Sequence, residues 1–223
     1  EAVRDAAEER GIPKIEDFNR GDNEGSCQFH VNQKRGRRWS SARGFLKPVL
    51  HRVNLRLEVN VLAERVLLEG RRATGVNYRQ NGVTKTPKAT REVILAAGAI
   101  GSPQLLMLSG VGPAAHLQEH DIDVVLDKPG VGGNLQDHLQ LRLIYKVHGI
   151  GTLNEQYHSL IGRAKMGLQY ALLRTGPLTM PPSQMGIFTR SDKSRERANL
   201  EFHVQPLSLD KFGDPLHKFP AFT

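Results

Sequence analysis

A chain of 223 residues with 39% hydrophobic and 24% charged residues has an ordinary globular composition and the length for one large domain or two small ones. No run approaches the roughly 18 apolar residues of a membrane-spanning helix, no signal peptide opens the chain, and a lone Cys27 excludes an internal disulfide and fits a reducing compartment. A formal charge of +8 raises nucleic acid as a partner, but the basic residues concentrate at Lys34-Arg35-Gly36-Arg37-Arg38 and Arg43, where only Trp39 could stack on a base and no nucleic-acid motif is recognisable.

Residues 1–10 are predicted as a short helix with Ala2, Val3, Ala6 and Ala7 on one side, closed by Gly11 and Pro13. It opens without a cap or an initiator Met, so the chain reads as part of something longer. Residues 14–36 are loop-like, and the basic stretch at their end reads as a solvated loop, a surface meeting other parts of the protein, or a device steering an anionic cofactor. From Ser40 or Ser41 the spacing of Ala42, Phe45, Leu46, Val49 and Leu50 predicts a helix that Pro48 should kink or shorten. Asn54 to Leu62 alternates as a half-buried strand does. Turn signals at Glu69-Gly70 and Asn81-Gly82 separate strands near 64–68, 73–79 and 83–88, an antiparallel meander.

The stretch Glu92 to Gly112 is the centre of the chain. Val93 to Ala97 predicts a buried strand, and Ala97-Gly98-Ala99-Ile100-Gly101 a turn small enough for a ligand to lie against the backbone. Ser102 is placed as an N-cap, Pro103 at the first helical position, Gln104 to Ser109 as a short helix and Gly110 at its C′ position. Strand, tight turn and capped helix form the usual edge of a nucleotide site in α/β proteins. Beyond it come a short helix from Pro113 to His120, a strand at Ile122 to Leu126, a turn from Lys128 to Asn134, and a strand through Leu139, Leu141 and Leu143 to Val147. A polar loop at 148–155 marks a domain boundary. Tyr157, Leu160, Ile161, Ala164, Leu168, Ala171 and Leu172 then trace one face of a long helix stopped by Gly176-Pro177, a stripe read as core and not as a cofactor or membrane surface. Met185 to Thr189 and Leu200 to Val204 predict strands of a second sheet, and the tail from Pro206 has no pattern.

Two Gly-rich stretches imitate a dinucleotide fingerprint. Gly110-Val111-Gly112-Pro113-Ala114-Ala115 follows a helix and not a strand, and Gly130-Val131-Gly132-Gly133 lacks the third small residue, so both are turns. His116 and His120 stand four apart without the Glu-x-x spacing of a metal site, a surface pair, and no histidine pair has metal-ligand spacing in a recognisable site. No metal site and no catalytic residue are assigned.

Gly98-Ala99, Ser102-Pro103, Leu105-Leu106 and Ser109-Gly110-Val111-Gly112 resemble the second signature of the glucose–methanol–choline (GMC) flavin oxidoreductases. Gln33 with Arg37 to Arg43, Asn54-Leu55, Arg72-Ala73-Thr74-Gly75-Val76 and Pro129 to His138 extend the likeness, clear over residues 1–147 and fainter over 148–223. Gly133 stands where Glu or Lys is commoner and Val53 where Pro is commoner. The resemblance implies a mixed α/β fold. Residues 1–147 would form part of an FAD/NAD(P)-binding-type domain with an antiparallel meander, and residues 148–223 the start of a sheet-and-helix substrate domain. It implies FAD as cofactor, with Ala96, Ala97, Gly98 and Ala99 along the adenosine half and the backbone of Ala63 at the adenine; Ala63 is equally an ordinary strand position. The parent would oxidise a primary alcohol, choline or an aliphatic or aromatic one, to an aldehyde, passing electrons to a quinone in preference to oxygen. It would be cytoplasmic, or peripheral on the inner membrane. The family's phosphate-cradling loop and its proton-abstracting C-terminal histidine have no counterpart here, so the chain alone is expected to be inactive; His138 reads as a structural histidine of its loop. The alternatives are a flavin-free scaffold of the same fold and, less favoured, a basic nucleic-acid-binding module.

Overall fold

A computed structural model describes every residue from Glu1 to Thr223. The chain runs α1 (Ala2–Glu9), β1 (Gly25–Gln28), β2 (Gln33–Lys34), β3 (Arg37–Arg38), β4 (Val61–Glu69), β5 (Arg72–Gln80), β6 (Val83–Lys85), α2 (Gly98–Leu108), β7 (Val111–Gly112), α3 (Ala114–Glu119), β8 (Leu126–Asp127), β9 (Tyr145–Lys146), α4 (Leu153–His158), α5 (Leu160–Leu173), β10 (Met185–Thr189), β11 (Leu200–Val204) and β12 (Ala221–Phe222). It divides into two units, one of residues Leu50–Leu139 and one that joins Glu1–Val49 to Gln140–Thr223.

In the first unit the predicted meander forms, antiparallel and in the order β4-β5-β6. Gly70, Asn81 and Gly82 take the positive φ angles, 59°, 51° and 81°, that tight hairpin turns need. Helix α2 packs on β4, and its end is fixed by Ser109, whose hydroxyl accepts from Val66 N at 2.8 Å and donates to Leu105 O at 2.6 Å. Gly110 holds the C′ position at φ +85°; a Cβ there would stand 2.5 Å from Asp123 O, so both conformation and space require glycine. Its carbonyl accepts from Val125 N and Leu126 N, which leads β7 into parallel pairing with β8. Leu117 of α3 closes the small core with Val66 and Leu105.

Four expected strands in or next to this unit do not form as expected. Asn54 to Asn60 lies outside the ladder, which begins only at Val61, and Leu55, Leu57 and Val59 are exposed. Glu92 to Ala96 is likewise unpaired, and of Ile122 to Leu126 only Leu126 joins a two-residue strand with Asp127. Leu139, Leu141 and Leu143 are exposed and unpaired, with pairing limited to Tyr145–Lys146. Alternation gives a segment two faces; a ladder also needs a neighbour with free N–H and C=O groups, and none lies beside these segments.

The second unit is built on the antiparallel sheet β1-β10-β11. Strands β10 and β11 fall where the sequence places them, whereas β1 lies in a stretch whose sequence is loop-like: Gly25 to Gln28 pairs with Phe188 to Met185 and carries no alternation to announce it. Phe18 covers this sheet, its ring 4.6 Å from that of Phe188 and 5.6 Å from that of Phe29. The helix predicted from Ser40 shrinks to a wide turn over Ala42–Leu46 and a tight one over Lys47–Val49, as Pro48 requires.

The long helix predicted from Tyr157 is two helices. Ser159 is extended, ψ 129°, and starts α5 afresh by accepting from Gly162 N at 3.2 Å. Thr152 and Glu155 form a capping box at the head of α4. The patternless tail docks on buried Asn154, whose amide donates to Ser208 Oγ at 2.8 Å and Phe219 O at 3.1 Å and accepts from Ser208 N at 3.0 Å. The apolar stripe of α5, expected in the core, faces solvent: Leu160, Ile161, Leu168 and Leu172 are all exposed.

Candidate functional site

The bend before α2 is built differently from its expected form, and the difference opens it. The helix begins at Gly98, not at Gln104, with Ala97 as its N-cap residue. Ser102 therefore lies inside the helix, and its hydroxyl accepts from Ala97 N at 3.0 Å, tying the bend down from within. Pro103 sits in the helix interior, where its missing N–H leaves the Ala99 carbonyl without an intrahelical partner.

Gly98 takes φ +83°, and a Cβ built on it would meet nothing within 4 Å. Ala96, Ala97, Gly98 and Ala99 are all exposed, so the main chain of the bend is open to a ligand. The N–H groups of the first helical turn have no intrahelical acceptor, and the helix dipole adds positive potential there. Ala63, the fifth residue expected in the site, lies exposed on β4 opposite Tyr78, next to a register shift between Ala63 and Arg65. All five belong to residues Leu50–Leu139, and α2 packs on the strand that carries Ala63.

A groove of about 580 Å³ runs along the same end of α2, walled by Ala99, Ile100, Pro103 and Met107 on one side and by Gly130 to Gly133 with Leu135 on the other. Gly132, φ +79°, lets this second wall close on Met107; a Cβ there would stand 3.3 Å from the methyl carbon of that side chain. The sequence reads Lys128 to Asn134 as a turn within a stretch that resembles the family, and does not place it as a groove wall. Its Pro-Gly-Val-Gly pattern was the available signal, since a glycine-rich turn permits close approach of another element.

The histidines stand apart from the bend's chemistry. His138 is exposed, and its backbone N–H donates to Asp137. His116 and His120 meet edge to face at 4.8 Å on the surface of α3, with Glu119 3.8 Å from His116. No group of three His, Cys, Asp or Glu side chains gathers as metal ligands would. The arrangement offers an open main-chain surface with the positive potential of a helix start beside an apolar groove, suited to holding a large planar or nucleotide ligand.

Residues 1–140 match the GMC oxidoreductase family model. The chain belongs to that family. It is 40% identical over 208 residues to an oxygen-dependent choline dehydrogenase of Brucella canis, a match covering 93% of this chain and 38% of that protein. It is 44% identical over 200 residues to an alcohol dehydrogenase [acceptor] of Pseudomonas putida, covering 88% of this chain and 36% of that one. Among solved structures, an FAD-dependent oxidoreductase from Chaetomium thermophilum superposes with a TM-score of 0.74 at 26% identity, over 83% of this chain and 33% of that chain. The mixed α/β fold is that of GMC enzymes, and the chain spans well under half the length of these relatives. Family and structural neighbour together indicate FAD as the cofactor, and the open bend with its small side chains is compatible with such a ligand.

Proposed function

We propose that these residues belong to an FAD-dependent oxidoreductase acting on CH–OH groups, one that oxidises a primary alcohol, choline or an aliphatic or aromatic alcohol, to the aldehyde. Its electrons pass on to an acceptor, a quinone or oxygen. Residues 1–147 contribute to the FAD domain, residues 148–223 to the substrate domain. The observation that carries the reading is the open bend at Ala96 to Ala99, where four small residues present main chain at the head of an 11-residue helix within the family-matched region.

When bound, the flavin supplies the two-electron chemistry that no side chain here provides. The chain's own part is to bind and orient. Ser102 holds the Ala97 amide and so sets the direction of the bend, and Ser109 locks the far end of α2 onto β4. Ala96, Ala97, Gly98 and Ala99 keep the approach clear for the adenosine half, with Ala63 presenting β4 backbone to the adenine.

The test is a chimera in which this chain replaces the matching segment of the Pseudomonas putida alcohol dehydrogenase. It should retain FAD and reduce an acceptor dye with a primary alcohol. Ala97→Phe in the chimera should raise the dissociation constant for FAD, read by titration of the visible absorbance, about tenfold, the loss expected when roughly 1.4 kcal/mol of contact is blocked. A folded chimera without flavin would instead favour a scaffold that kept the architecture and lost the cofactor.

A further inference from the structure

The tail that docks on Asn154 is held by a polar chain whose hydrogen-bond directions follow from the partners alone. Ser208 and Asn154 are fully buried. Ser208 Oγ accepts from the Asn154 amide, and its own hydrogen faces His217 Nδ1 at 3.1 Å. With Ser208 donating, His217 Nδ1 carries no proton, and the ring hydrogen sits on Nε2, 3.4 Å from Asp210 Oδ1. The ring stacks on Phe219 with centroids 4.7 Å apart, and Lys146 of β9 stands 4.7 Å over that same Phe219 ring. A second histidine grips the tail differently. His158 Nε2 lies 2.8 Å from the Leu216 carbonyl, which only accepts, so this nitrogen bears hydrogen whether its ring is neutral or charged.

A second proton on the His217 ring alters this set at one place. Nδ1 turns into a donor aimed at Ser208 Oγ, and the hydrogen of a buried hydroxyl loses its acceptor. Around the ring the charged and titratable groups are Asp210, Lys146 and His158, with Lys218 next in the chain. The bond to Asp210 gains charge, but Asp210 is 74% exposed, and an exposed pair contributes little. Lys146 adds a like charge nearby. The loss at the buried hydroxyl therefore outweighs the gain at the exposed carboxylate.

We propose that His217 is an acid-sensitive latch on residues 206–223: the neutral ring keeps the tail docked on α4, and the protonated ring lets it go. Release frees β12, whose Ala221 and Phe222 pair with Lys146 and Tyr145, and parts Thr223 from Gln205. Because the docked form binds fewer protons, acid favours release, across the range in which imidazoles take up a proton, about pH 8 to about pH 5. Every group in the latch lies within one unit and finds its partner in this chain, so the latch needs no open surface. It goes beyond the oxidoreductase reading and involves no flavin.

The measurement is protection of the hydrogen-bonded amides of Ser208, His217 and Thr223, each relative to its intrinsic exchange rate at the same pH. It is made on the chain and on the flavin-loaded chimera above. From about pH 8 to about pH 5 protection should fall about tenfold or more in both, while the β4–β5 ladder keeps its own. His217→Gln, whose amide oxygen accepts from Ser208 at any pH, should keep the tail docked and abolish the response. His158→Gln should leave the fold-change in place. Nitrogen chemical shifts of the neutral His217 ring should report a bare Nδ1, a readout that stands even if His217→Gln fails to dock. The proposal is overturned by protection that is constant or rises in acid, by a response that persists in His217→Gln, or by a neutral ring with its proton on Nδ1. Flavin content of the chimera is read separately, so failure here and failure of the oxidoreductase reading are distinct results.

Discussion

Ser109 joins two elements far apart in sequence with one hydroxyl. It is 2% exposed, takes the Val66 amide hydrogen from β4 and gives its own to Leu105 in α2. Ser109→Ala removes the acceptor and leaves a buried N–H without a partner, which costs about 1–3 kcal/mol. Chemical denaturation followed by circular dichroism should show that loss, and a change within about 0.5 kcal/mol, ordinary for surface sites, would sink the assignment. Asn154 is the matching residue of the other unit. Fully buried and bonded to Ser208 and Phe219, it holds the tail, and Asn154→Ala should free residues 206–223 to limited proteolysis while α5 resists. Neither role was legible in the sequence. Ser109 was read as the last residue of a helix and Asn154 as part of a polar loop, because local spacing does not disclose which partner 43 or 54 residues away a polar side chain will reach.

Elements that complete their hydrogen bonds locally were legible; those that depend on distant partners were not. The meander, with its turn residues between adjacent strands, follows from the sequence in order and turns, with strand ends off by up to three residues, and α1, α3, β10 and β11 follow likewise. The four residues of β1 pair with a strand some 160 positions on and escaped notice. In α2 the helical stop was legible from Gly110, while the start was misplaced because Ser102 and Pro103 imitate an N-terminus that the chain reaches earlier, at Gly98. The first helix offers a test in solution. Lys14 Nζ lies 2.5 Å from Asp5 Oδ1 and 3.0 Å from Glu8 Oε2, anchoring α1 to the segment that follows it. The hydrogen bond from Lys14 holds the Asp5 carboxyl below its ordinary value, and the bonds to Asp5 and Glu8 raise the Lys14 ammonium above its own. A lowered carboxyl stabilises the folded form above its ordinary value of 3.8 and loses that effect as pH falls through the folded value. The raised ammonium stabilises below 10.5 and loses its effect as pH rises through its folded value. Amide protection factors in α1, taken relative to the intrinsic exchange rate at each pH, should therefore fall at both extremes, and Lys14→Met should remove this anchor's contribution to both arms. Because the groups are exposed, added salt should shrink the effect.

At the scale of the molecule, accessible area decides how the apolar surface is to be understood. Two separately folded bodies of these sizes would together expose on the order of 12,000 Å². The chain exposes 16866 Å², and its buried hydrophobic residues are Ala7, Cys27, Val66, Leu105, Leu117, Met185, Leu209 and Ala221. Such a core is thin for 223 residues, and the excess surface includes segments whose sequence asks for burial: Leu55, Leu57 and Val59, Ile94, and Leu139 to Leu143. Alone, the chain should bind an apolar dye such as anilinonaphthalene sulfonate, and the amides of residues 54–60 and 92–96 should exchange quickly while those of the β4–β5 ladder are protected. The chimera with the Pseudomonas putida enzyme supplies sheet partners and should reverse both: dye fluorescence falls, and residues 54–60 and 92–96 become protected to the level of the meander. If those amides stay fast in a flavin-loaded chimera, the alternation of Asn54 to Leu62 and the apolar run of Val93 to Ala97 have nothing to do with strand pairing, and the exposed bend that follows them loses the rigid support a cofactor site needs.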